Sequence, residues 1–134
     1  MAIERVLTPH VAEPAPGLWS NCLRHGNNVY VAGLVAVDAD FNVLAIGDPG
    51  EQSRIIFRSI RHYLEAAGGG LADVVRMRDY LSNLERDRPA FLEARREFFT
   101  GNFPCSTLVE VSALVTPEML VEVDADAIIG AGAA

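Results

Sequence analysis

Phe103-Pro104-Cys105-Ser106-Thr107-Leu108-Val109-Glu110-Val111 and, beyond a turn around Thr116-Pro117, Val121-Glu122-Val123-Asp124-Ala125 close the chain, and their reading decides the fold. Both stretches alternate with a period of two and carry the valines that strands favour, so they predict strands over roughly 106–113 and 120–128. Alternation sets Ser106, Leu108 and Glu110 on one face of the first strand, and Glu122, Asp124 and Asp126 on one face of the second. Val109 and Val111 are apolar residues of the first strand that need cover.

Working back from these strands, Asp87 is expected to cap a helix whose apolar face is Phe91, Ala94 and Phe98 with Leu92 and Phe99, stopped by Gly101-Asn102. Before it, 73–82 reads as a strand with Val74, Arg76, Arg78 and Tyr80 on one face. Val75, Met77, Asp79 and Leu81 make the other, more core-like face, Asp79 being its exception. Further back, Asp48-Pro49-Gly50-Glu51 supplies an N-cap, a proline for the first turn and a capping-box glutamate. Ile56, Ile60, Tyr63, Leu64 and Ala67 then recur at helical spacing opposite Arg54, Arg58, Arg61 and Glu65, until Gly68-Gly69-Gly70 ends the helix. Cys22-Leu23-Arg24 and the run from Val29 to Leu34 flank His25-Gly26-Asn27-Asn28 and predict a β-hairpin. Residues 1–18, with Pro9, Pro14, Pro16 and Gly17, read as an extended arm leading to Trp19. The order β-β-α-β-α-β-β predicts one α+β domain over 1–134, a single sheet covered by two helices on one face. Its second face then requires a partner, so self-assembly is expected.

Composition narrows the function classes. Half of the 134 residues are apolar, which suits one packed core. Eleven basic against eighteen acidic residues give a net charge of −7, so neither nucleic acid nor an anionic membrane is an expected partner. No apolar run approaches the length of a membrane span, and no basic segment with a following apolar stretch opens the sequence, so a cytoplasmic location is expected. Two cysteines are too few for a disulfide framework, and His10, His25 and His62 lack ligand partners at metal-binding spacing; no metal site is expected. His25 in the hairpin turn and His62 on the first helix are expected to be exposed.

In order and spacing, Gly17-Leu18-Trp19-Ser20-Asn21, Val31-Ala32-Gly33, Glu51-Gln52, Leu64-Glu65-Ala66-Ala67-Gly68, Asp73-Val74-Val75, Phe98-Phe99 and the closing block together resemble the Rid (YjgF/YER057c) family of enamine/imine deaminases. The resemblance implies a chorismate-mutase-like fold, a homotrimer with three clefts between subunits, and no cofactor. It also implies site residues. Glu122 matches the glutamate that activates the hydrolytic water, and a carboxylate whose pKa is raised by burial suits that work; by alternation a solvated acidic face is the alternative. Gly33 matches a glycine whose backbone approaches the ligand, or else a strand glycine beside a bulge. Trp19 matches an aromatic lid over the cleft, or an anchor in core or interface. Ser106 stands where deaminating members carry an arginine that forks onto the substrate carboxylate, and Leu108 where many have a cysteine; core packing is the alternative for Leu108.

That departure redirects the expected chemistry. Loss of the arginine costs carboxylate binding about 1.5–3 kcal/mol, the range for a hydrogen bond to a charged group. Simple 2-imino acids should therefore bind poorly, and a hydrolytic deaminase of another enamine or imine, such as a 2-aminomuconate-type substrate, is expected. The alternative is a non-catalytic trimer that binds a small metabolite or a protein partner. If the substrate is anionic, Arg24, Arg76 or Arg78 on the strands would replace the missing cation. Cys105, with no histidine near it in sequence, is expected to be a buried and inert thiol.

Overall fold

A computed structural model describes residues 1–101 and 103–133. The predicted hairpin is present as β2, Cys22–His25, and β3, Asn28–Leu34, with Gly26 at φ +61° in the turn between them. The arm is not wholly loop, because Glu4–Arg5 forms a short strand, β1, antiparallel to β2, and Val6 enters the core. Helix α1 spans Pro49–Ala66 and starts as the sequence dictates. Asp48 Oδ1 accepts a hydrogen bond from the Glu51 amide at 3.0 Å, and Pro49 fills the first turn, where an amide would have no partner. Gly68, at φ +93°, lets the chain turn away after Ala67.

Strand β4, Val74–Leu81, helix α2, Leu84–Phe98, strand β5, Cys105–Glu110, and strand β6, Val121–Ile128, complete the order. Three boundaries differ from expectation, the first being β5, which ends at Glu110 rather than at the expected Ala113. Asn83 rather than Asp87 caps α2, its side chain accepting from the Arg86 amide at 3.0 Å. Asp87 lies inside the first turn, buried and paired with Arg86. A register shift between Val74 and Arg76 turns Val74 into the core, so the outward row on β4 begins at Arg76. Gly101, at φ +78°, follows α2, while Asn102 lies outside the described residues.

Among the described residues the strands form one sheet in the order β1-β2-β3-β6-β4-β5, antiparallel throughout except for the parallel pair β4 and β5. The two closing strands are therefore not neighbours. Strand β6 runs through the middle, between β3 and β4, and β5 forms an edge. Both helices cover one face, over a core of Val29, Val31, Met77, Leu81, Val121 and Val123 from the sheet with Ile56, Phe57, Ile60, Tyr63 and Phe91 from the helices. Each such side chain contributes about 1.5–3 kcal/mol on burial. The opposite face carries Tyr30, Arg76, Arg78, Tyr80, Glu122, Asp124 and Asp126 and has no layer over it. Among the described residues no helix is long and apolar enough to cross a membrane.

Candidate functional site

Glu122 projects from the central strand onto the open face. It is half-buried because β3 passes close beside it at a bulge: Val31 pairs with Ala125 but Leu34 with Val123, leaving one extra residue in β3. Gly33 lies in that bulge, and a Cβ there would stand 2.6 Å from Glu122 Oε2 and 3.0 Å from Cδ. Gly33 is thus a strand glycine in a bulge, and the space its missing Cβ leaves is taken by the Glu122 carboxylate. Burial is the main cause that pushes the Glu122 carboxyl above the ordinary carboxylate range, and the charge of Asp124 adds to it.

The rest of the acidic row is held by partners. Arg78 Nε lies 2.7 Å from Asp124 Oδ1 and its Nη2 3.3 Å from Asp126 Oδ2, while Tyr80 Oη donates to Asp124 Oδ2 at 3.1 Å. Glu122 is not in these contacts. Of the three aligned carboxylates it is the one without an ion pair among the described residues.

Trp19 lies in the loop before β2, with its indole Nε1 donating to Asn21 Oδ1 at 2.9 Å. Its ring is half exposed and, with Gly33, Val35 and Phe41, lines a small cleft of about 70 Å³. Asn21 is buried and donates to Ala12 O and Tyr63 Oη, each at 3.0 Å, so the arm, the loop and α1 hold Trp19 in place. A larger cavity of about 350 Å³ adjoins it, where His62 lies half-buried with its ring stacked on His10 at 4.1 Å. His62 is thus not the exposed residue that its helix face suggested, because the arm crosses over it. Burial lowers its pKa, and His10 lowers it further.

Ser106 and Leu108 lie on the other side of the sheet from Glu122. In the parallel register Ser106 pairs with Met77 and Leu108 with Asp79, both residues of the helix-covered face. Leu108 packs against the core. Ser106 meets a group that sequence reasoning missed, since Arg95 of α2 donates from Nη1 to Ser106 Oγ at 2.6 Å and to Asp79 Oδ2 at 3.1 Å. The serine hydroxyl in turn donates to Asp79 Oδ2 at 2.9 Å. Asp79 is fully buried, and that burial raises its pKa against the lowering by Ser106 and Arg95. The signal was present in the sequence as the one carboxylate on the core face of β4, which requires a partner. Helix spacing did not reveal which arginine would reach it.

The three cations considered from the strands are engaged elsewhere or face away from Ser106. Arg24 donates to the Gly26 and Ala67 carbonyls and ties the hairpin turn to the end of α1. Arg78 is held by Asp124 and Asp126, and Arg76 stands exposed on the open face. Cys105 is also exposed, contrary to expectation, because an edge strand that turns Ser106 toward the helices turns its neighbour outward.

Comparison with known proteins follows the same outline. The sequence model of the endoribonuclease L-PSP family matches residues 10–129. A RutC family protein of Pyrococcus abyssi is 34% identical over 125 residues, covering 93% of this chain and 96% of that one. A protein of Acinetobacter baylyi named 3-aminoacrylate deaminase RutC is 30% identical over 120 residues, covering 90% and 94%. The crystal structure of RidA from an Antarctic Psychrobacter species matches with a TM-score of 0.82 at 28% identity, covering 94% of this chain and 99% of that one.

Proposed function

The chain belongs to the endoribonuclease L-PSP family, the Rid/YjgF group of enamine and imine deaminases, and on that premise we propose that it is itself a hydrolytic deaminase with Glu122 as the residue that activates water. The observation that carries the reading is the environment of Glu122: an unpaired, half-buried carboxylate of raised pKa, set against a glycine that leaves room for it. Burial that raises the pKa of a carboxylate makes it a stronger acceptor of a proton from water, which it can then return.

The chemistry balances with water alone. An enamine substrate first takes a proton on carbon and gives one up from nitrogen, becoming the imine with no net change of protons. Glu122 removes a proton from water as its oxygen bonds to the imine carbon, and the C=N π electrons move to nitrogen. That proton then passes to nitrogen, giving a carbinolamine; Glu122 next relays the hydroxyl proton to the amine nitrogen, so that the C–N bond breaks as the carbonyl forms and ammonia leaves.

Ser106 and Glu122 lie on opposite faces of one sheet, so a single copy cannot place both against one small ligand. A cleft between two copies removes that difficulty, with Gly33, Trp19 and Glu122 of one facing the β5 edge of the next. The uncovered edge strand and the layer-free face of the sheet support a homotrimer built in this way. The substrate class favoured is an enamine or imine other than a simple 2-imino acid, with 2-aminomuconate as the concrete case, because Ser106 stands where an arginine on β5 would hold a carboxylate, so that any carboxylate must be held from another position and at another distance from the reacting carbon.

Ammonia release from 2-aminomuconate and from imino acids generated in solution tests the reading. Glu122→Gln should lower turnover by about 10²–10⁴-fold, the usual contribution of a positioned acid or base. Absence of turnover on every substrate, with ligand binding intact, would leave the chain a binding protein.

A further inference from the structure

Among the described residues, Arg95 is anchored by a fully buried carboxylate, Asp79, and hydrogen-bonded to Ser106 of the edge strand β5. Its side chain is 17% exposed, and Asp79, which holds it, is 0% exposed. Only Nη1 is committed, to Asp79 and to Ser106. Among the described residues Nε and Nη2 have no hydrogen-bond partner. Those two nitrogens form one edge of the planar guanidinium, and two parallel N–H groups on one edge are the geometry that forks onto a carboxylate. The Phe99 ring, 6.0 Å from the guanidinium carbon, flanks the group and limits its freedom.

The arrangement also removes Ser106 as a donor to a ligand. Its proton is directed to Asp79 and one of its lone pairs to Arg95. What the serine does is hold the arginine at the solvent edge of β5. Arg54, Arg58, Arg61 and Arg86 are turned to carboxylates of their own helices or of the facing helix. A residue of similar freedom, Arg76, lies on the other face of the sheet.

We propose that Arg95, positioned by Asp79 and Ser106, is the binding residue for a carboxylate of the substrate, so that this chain takes anionic ligands through a helix-borne arginine. The proposal uses the deaminase reading only to place the reacting carbon; carboxylate binding itself does not depend on turnover. Its consequence is that the serine on β5 moves the cation and does not abolish it. A ligand with one carboxylate at this edge and its reacting carbon about one small molecule's length away, toward a neighbouring copy's Glu122, is the class that fits.

Calorimetric titration of the intact protein with trans,trans-muconate and with 2-oxobutanoate tests it, each paired with its uncharged amide. The wild type should bind an acid and not its amide. Arg95→Lys keeps a charge opposite Asp79, so the fold is retained, but it loses the fork and should weaken binding about 10- to 100-fold. Arg95→Met combined with Ser106→Arg returns a guanidinium to Asp79 from the strand and should restore affinity to within about threefold. Equal affinity of Arg95→Lys and wild type, or no saturable binding of either acid by the wild type, overturns the proposal. Glu122→Gln separates the two readings: loss of turnover with unchanged acid binding supports both. Retained turnover in Glu122→Gln, with binding lost in Arg95→Lys, refutes the role of Glu122 and leaves the Arg95 site standing.

Discussion

Replacing Gly33 by alanine perturbs Glu122 without touching its charge. The backbone at Gly33 is not left-handed, so alanine adopts it without conformational strain. The new methyl would start 2.6 Å from Oε2, 3.0 Å from Cδ and 3.2 Å from Cγ of Glu122, against about 3.4 Å for ordinary contact. The carboxylate must then retreat by about 0.8 Å. A displacement of that size at a reacting group lowers rates by about 10- to 100-fold. Stability should fall by at most about 2–3 kcal/mol, the crowding cost of about 1–3 kcal/mol being offset in part by about 0.4–1 kcal/mol from restricting the unfolded chain. The assay is kcat/KM for ammonia release beside a denaturation midpoint. If Gly33→Ala keeps activity within about twofold of the wild type while remaining folded, the packing of Gly33 on Glu122 has no functional meaning and the placement of the water is wrong.

Other outcomes follow from the same geometry. If Glu122 acts as the base, kcat/KM rises with pH through its raised pKa; Asp124→Asn removes one cause of the shift and should move that limb to lower pH, which a pH–rate profile would detect. Glu122 holds its proton more tightly folded than unfolded, so its stabilising contribution is complete below the unfolded pKa and lost as pH rises through the folded one. Glu122→Gln should therefore be no less stable than wild type at neutral pH, measured by urea denaturation at acid and neutral pH. Gln52 is fully buried, donating to Glu118 O and accepting from the Leu120 amide, each at 2.9 Å. Gln52→Leu strands those groups at the entry to β6 and should cost about 1–3 kcal/mol in a denaturant titration. Cys22 is buried with its thiol pushed up to about 12, so iodoacetamide should modify it only after denaturation; native modification of Cys22 would contradict the packing of β2.

The elements of this chain were legible because their signals are local. Asp48-Pro49 starts α1, Gly26-Asn27 turns the hairpin, and alternation marks β4 and β6, each within a few residues of the structure it produces. Glu122 and Gly33 were singled out by resemblance to a family block, and the structure sets them against each other with Glu122 half-buried and its pKa raised. Sequence could not order the sheet, since nothing in two consecutive strands says that β6 will insert between β3 and β4 while β5 takes the edge. That ordering, with the bulge in β3, decides which residues meet. It puts Glu122 against Gly33, turns Ser106 to the opposite face, exposes Cys105, and brings Arg95 across from α2 to a carboxylate sixteen positions away. Alternation gives a residue's face only relative to its own strand. Which face is covered, and by which helix, is set when the hydrophobic surfaces of the sheet and both helices are buried together, and only the tertiary structure holds that information.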